Sequence, residues 1–183
     1  MTVRFDSGRI CLDLADQPLA HTQALDRFLR TTGLVPAAVP LRALDAAWVV
    51  RFRELRDCVV ELVHAQLDGR RAGPALERLN ALAAASAPPA PRAVRTETGG
   101  LVRALSVEPD CRALLAAVAR DAVDLLTDPN ARALLRRCES DDCRRCYLDT
   151  SRGRRRRWCS SEACGNRERV ARHRAARRAK ATV

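Results

Sequence analysis

Two pairs of cysteines near the carboxyl end constrain this chain more than any other feature. Cys138 and Cys143 are separated by four residues, as are Cys159 and Cys164, and fifteen residues lie between the pairs. Two closely spaced thiol pairs joined by a short polar loop suit a tetrahedral Zn²⁺ site closed by four thiolates. Four sulfur ligands leave no open position for water, so the expected ion is structural and not catalytic. Cys146 adds a C-x-x-C pair with Cys143 and leaves a competing ligand set of Cys143, Cys146, Cys159 and Cys164 open. The symmetry of spacing favours Cys138, which makes Cys146 a small buried side chain. A redox role for Cys143 and Cys146 would call for a thioredoxin-like βαβ pattern, and none surrounds them.

The charge distribution follows the cysteines. Net charge is +11, and residues 138–183 hold 14 Lys/Arg against 6 Asp/Glu, or +8. The remaining 19 and 16 give residues 1–137 only +3. A basic terminus of this kind attracts polyanions through counterion release. Arg152, Arg154, Arg155, Arg156 and Arg157 fall between the cysteine pairs, and Arg167, Arg169, Arg172, Arg174, Arg177 and Arg178 follow the last cysteine. Like charges so closely spaced on one helix repel one another unless a polyanion neutralises them, which favours nucleic-acid contact over a merely solvated face. Guanidinium forks grip phosphates and can read guanine edges if a helix enters the major groove.

The rest reads as a larger, mostly helical domain. At 47% hydrophobic with few aromatics, the core is built from Leu, Val and Ala. Residues 9–15 alternate apolar and polar and predict a short strand. Helices are expected over 19–32, 41–68, 73–85 and 109–127, with another from Asp128-Pro129 running into Cys138. Residues 93–97 and 101–107 flank Thr98-Gly99-Gly100 and predict a β-hairpin, placed beside the first strand to form a small antiparallel sheet. In the cysteine module, Tyr147-Leu148-Asp149 and Arg157-Trp158-Cys159 are expected to be arms of a hairpin, with Cys164 opening a last helix whose free N–H groups stabilise a thiolate. The expected architecture is α+β and mostly helical: an N-terminal helical domain with a small antiparallel sheet (1–135), then a treble-clef-like zinc finger with a basic helix (136–183).

Leu148-Asp149-Thr150-Ser151-Arg152, Arg157-Trp158-Cys159-Ser160 and Cys164-Gly165-Asn166-Arg167 together resemble the CGNR zinc finger. The resemblance implies Cys138, Cys143, Cys159 and Cys164 as the ligands of one structural zinc. Cys146 stands where that family has an aliphatic or aromatic residue. Gly8-Arg9-Ile10-Cys11-Leu12-Asp13-Leu14 resembles the opening of the ABATE domain that usually precedes this finger, and implies transcription regulation under stress. Ala15-Asp16-Gln17 departs from the Asn-Thr pair found there. The combined expectation is a DNA-binding regulator, without catalytic residues, whose N-terminal domain senses a small-molecule effector or mediates homodimer formation. A protein-interaction module for an acidic partner and an RNA-binding module are the rivals. The latter is disfavoured by the scarcity of aromatics for base stacking. Without a secretory or membrane-length apolar run, the expected location is cytoplasmic, at the nucleoid if DNA is bound.

Overall fold

A computed structural model describes residues 7–181, excluding the side chains of 175, 176 and 178–181. Helix α3 (Ala46–Leu67) is the spine of the larger core. Asp45 starts it by accepting the Trp48 N–H at 3.1 Å. Phe52, Leu55, Val59 and Val63 then bury against α1 (Ile10–Ala15), α4 (Gly73–Ala84) and α5 (Cys111–Thr127). Helix α2 (Thr22–Thr31) adds Leu25, Phe28 and Leu29 to the same core. Leu41 and Leu44, expected inside α3, precede it in a turn and still pack on the core.

The first segment is a helix and not the expected strand. Its alternation of Ile10, Leu12 and Leu14 is real, but Cys11 is buried as deeply as Leu12, so the segment is enclosed on more than one face. Period then no longer separates helix from strand, and tertiary contacts decide. Asp121 of α5 supplies them: its carboxylate accepts the Cys11 N–H at 2.8 Å and pairs with Arg9 at 3.0 Å. A carboxylate from a distant helix thus caps a six-residue helix that could not persist alone. Gly8, at φ 88°, turns the chain into this helix.

Because α1 is helical, no described strand joins the hairpin as a third. Strands β1 (Pro91–Arg95) and β2 (Leu101–Leu105) pair antiparallel as a two-stranded ribbon with Val94 opposite Val102. The ribbon is exposed along most of its length and tethered by Arg103, which donates to the Gly33 carbonyl at 2.7 Å.

The helix expected to run into Cys138 stops early. Asp128 caps α6 (Pro129–Leu134), and the chain then extends into β3 (Leu135–Arg137). Leu135 reaches the large core, and β3 pairs antiparallel with β4 (Cys146–Leu148) in the register Leu135 to Leu148, Arg136 to Tyr147 and Arg137 to Cys146. The expected pairing of Tyr147–Asp149 with Arg157–Cys159 is not formed: residues 157–159 adopt no strand, and β4 pairs with β3 in a two-stranded sheet. A π-helical turn (Ser161–Gly165) leads into α7 (Asn166–Ala181).

The β3–β4 hairpin is seated on the helical domain. The Leu148 N–H donates to the Ser7 carbonyl at 3.0 Å, Arg137 pairs with Asp68 at 2.9 Å, and Arg145 pairs with Asp16. Cys146 and Leu148 belong to the large core, so the two parts of the chain share apolar surface. No described helix is long and apolar enough to cross a membrane.

Replacing Asp121 with Ala leaves the Cys11 N–H without its acceptor and Arg9 without its ion pair. The expected loss is about 1–3 kcal/mol, read by urea denaturation. A loss within about 0.5 kcal/mol would show that α1 does not depend on this cap.

Candidate metal centre

The β3–β4 turn holds the first sulfur pair. The Cys138 N–H donates to the Arg145 carbonyl at 2.8 Å and the Cys143 N–H to the Ser140 carbonyl at 2.9 Å, folding residues 138–145 into a tight knuckle. The second pair arrives from the other side. Ser160 caps the π-helical turn through its Oγ, which accepts the Ala163 N–H at 3.1 Å, and this places Cys164 in the turn that leads into α7. The Glu139 N–H donates to the Arg157 carbonyl at 2.9 Å, tying the knuckle to the segment that carries Cys159.

The sulfurs of Cys138, Cys143, Cys159 and Cys164 all lie within 4.8 Å of one another. The Cys143–Cys159 separation is 3.7 Å and the Cys159–Cys164 separation 3.6 Å. A tetrahedron with Zn–S arms of about 2.3 Å has edges of about 3.8 Å, so these spacings match a four-thiolate zinc site. They are far too long for a disulfide, and all eight cysteines are free. Electrostatics point the same way. Burial, reinforced by the neighbouring sulfurs of Cys164, Cys138 and Cys143, pushes the Cys159 thiol far above its ordinary range. Burial also raises Cys143, whereas N–H groups from Cys159 and Ser140 overcome burial and lower Cys138. Four thiolates this close need a cation among them to be charged together.

Cys146 stands apart from the cluster. It lies in the large core, its thiol pushed up to about 11 by burial, with its sulfur 3.9 Å from the Arg144 carbonyl.

The arginines between the cysteine pairs divide by direction. Arg152, Arg154 and Arg155 are exposed. Arg156 turns inward: its guanidinium stacks 4.5 Å over the Tyr147 ring, its Nε donates to the Trp158 carbonyl at 2.8 Å, and its Nη2 donates to the Cys159 carbonyl. Arg157 pairs with Glu139 and lies 5.1 Å over Trp158. On α7, Arg167, Arg169, Arg172, Arg174 and Arg177 are exposed, with Arg172 also 5.8 Å over Trp158. The side chain of Arg178 lies outside the described ones. Glu168 anchors the first turns of α7 by accepting from Ser140 Oγ at 2.8 Å.

Asp149 holds the basic loop and was not singled out by sequence reasoning. It is fully buried and accepts the Ser151 N–H at 3.0 Å, the Ser151 hydroxyl at 2.6 Å and the Arg156 N–H at 3.0 Å. The Ser151 hydroxyl, followed by these N–H groups, holds its carboxyl below the ordinary range. The Asp-Thr-Ser run is an Asx-turn signal that could have identified it. Tyr147 completes the frame by donating its hydroxyl to the Arg156 carbonyl at 2.7 Å.

A sulfur cluster on a knuckle and a helix start, beside a basic loop, defines a zinc-finger protein. The chain belongs to the ABATE family, described as "Putative stress-induced transcription regulator", which matches residues 8–129, and it carries a CGNR zinc finger matching residues 134–178. No curated protein matches the chain.

Arg156 and Arg155 are neighbours with different surroundings, which gives a sharp test. Arg156→Ala should cost the module about 1.5–3 kcal/mol through lost charge-assisted bonds, and Arg155→Ala within about 0.5 kcal/mol. Hydrogen exchange at the Tyr147–Cys159 amides measures both, and equal protection in the two variants would contradict an inward strut.

Proposed function

We propose that the protein is a zinc-containing, DNA-binding transcription regulator. Cys138, Cys143, Cys159 and Cys164 hold one structural zinc, which supplies the folding energy that a module with so small an apolar core lacks. The observation that carries this reading is the sulfur tetrahedron within 4.8 Å, with exposed arginines projecting from both the loop and the helix it pins.

Arg152, Arg154 and Arg155 on the loop, with Arg167, Arg169, Arg172, Arg174 and Arg177 on α7, are the phosphate-contacting groups. Arg178 continues the helical series. Arg156 and Arg157 serve by shaping the loop, since their guanidinium groups are engaged within the module. The domain over residues 1–135 senses an effector or mediates pairing, and residues 136–183 bind. Strand β3 spans that division and transmits between them. A second copy would raise the affinity of a single small module through effective concentration. The setting is cytoplasmic, at the nucleoid.

Purified protein should contain one zinc per chain by elemental analysis. Cys159→Ser should lose it while residues 10–127 keep their helical circular dichroism. A metal-free native protein would sink the zinc assignment.

Arg155→Ala should weaken binding to mixed-sequence duplex DNA about equally at all sites and reduce the slope of log K against log salt by about one. An unchanged slope would remove Arg155 from the phosphate contacts. Binding that ignores DNA and survives high salt would favour an acidic protein partner instead.

A further inference from the structure

A cavity of about 410 Å³ opens between α1, α3 and the zinc knuckle. Its size lies within the range of small-molecule sites. Leu12 and Val63 are buried and Val60 half-buried, and together they give it an apolar wall. The other side is charged. Asp16 comes from the C-terminal cap of α1, and Asp142, Arg144 and Arg145 come from the knuckle. The ion pair between Asp16 and Arg145 joins the two sides, and Asp16 is only 19% exposed.

Among the aspartates and arginines of the lining, two carboxylates and two guanidiniums balance, so these four groups offer a ligand of a single sign no net attraction. A head group bearing both signs finds a complement for each, while a branched hydrocarbon body covers the valines. We propose that this cleft binds a small zwitterion with an aliphatic body, the class of the branched-chain α-amino acids. The ammonium faces Asp16 and Asp142, and the carboxylate faces Arg144. The lining also includes Cys143, so an occupant adjoins the helical core and a residue of the sulfur cluster together. Occupancy therefore braces the knuckle against opening. The proposal deepens the sensing role assigned above. Its test contains no DNA, so its failure is distinguishable from failure of the DNA-binding reading.

The zinc-loaded full chain, labelled with ¹⁵N, is titrated with leucine, 4-methylpentanoate and isoamylamine, three near-isosteres that differ in charge. Leucine should give saturable shifts at the Val60, His64 and Arg144 amides, and the other two should bind at least about tenfold more weakly. Val60→Phe, which fills the cavity from a half-buried position, and Asp16→Asn should each abolish the shifts while the remaining spectrum stays folded. If either variant fails to fold, the other carries the test, and leucine should in addition slow zinc transfer from the parent protein to a chelator. No saturable shift by about 10 mM leucine overturns the proposal. So does equal affinity for either charged isostere, or leucine binding that is unchanged in a folded Val60→Phe.

Discussion

Four sulfurs packed into one small space form the constraint on which the carboxyl-terminal module depends. The second core of the molecule consists of Cys138, Tyr147, Cys159 and Cys164, with Cys143 and Trp158 at its margin. Most of its members are cysteines, which bring sulfur to the centre and little hydrocarbon. Apolar burial of that size cannot offset the ordering of some forty residues, so cohesion has to come from polar contacts and from the cation proposed at the centre. This explains why carboxylates and guanidiniums are spent on internal bonds here. Asp149 and Arg156 replace the strand ladder that the loop lacks.

The two cores are coupled through one short hairpin. Leu135 and Cys146 lie in the large core, while Tyr147, next to Cys146, and Cys138, just past the end of β3, lie in the small one. Alternation along a strand thus gives β3–β4 one face for each core. The Asp68–Arg137 and Asp16–Arg145 pairs fasten its edges. A change of packing in either part must displace side chains that the other part also uses. The cleft at this junction is where a ligand could bias both.

Much of the site was legible in the sequence because metal ligation is encoded by residue type and spacing. The paired cysteines predicted which four sulfurs cluster, and alanine- and leucine-rich periodicity located α2 to α5 within a few residues. What was not legible depended on partners far away in sequence. Residues 9–15 look like a strand by alternation, yet Asp121, more than a hundred positions later, caps them as a helix. Tyr147 was expected to pair with the Trp158 segment. The β4 register is instead set against β3, whose Leu135 is buried in the large core opposite Leu148. Arg156 lies in a run of four arginines, and nothing local distinguishes the one that stacks on Tyr147 from those that face water.

The β1–β2 ribbon was read correctly as a hairpin, and its isolation has a consequence of its own. With Leu101, Val102 and Val94 exposed and no described strand along either side, it offers neighbouring molecules an open template for sheet extension. Arg92, Arg95 and Arg103 are spaced along it, so two ribbons approaching edge to edge bring like charges together. Colloidal behaviour is therefore tied to ionic strength: salt that screens these guanidiniums takes away the barrier keeping copies apart.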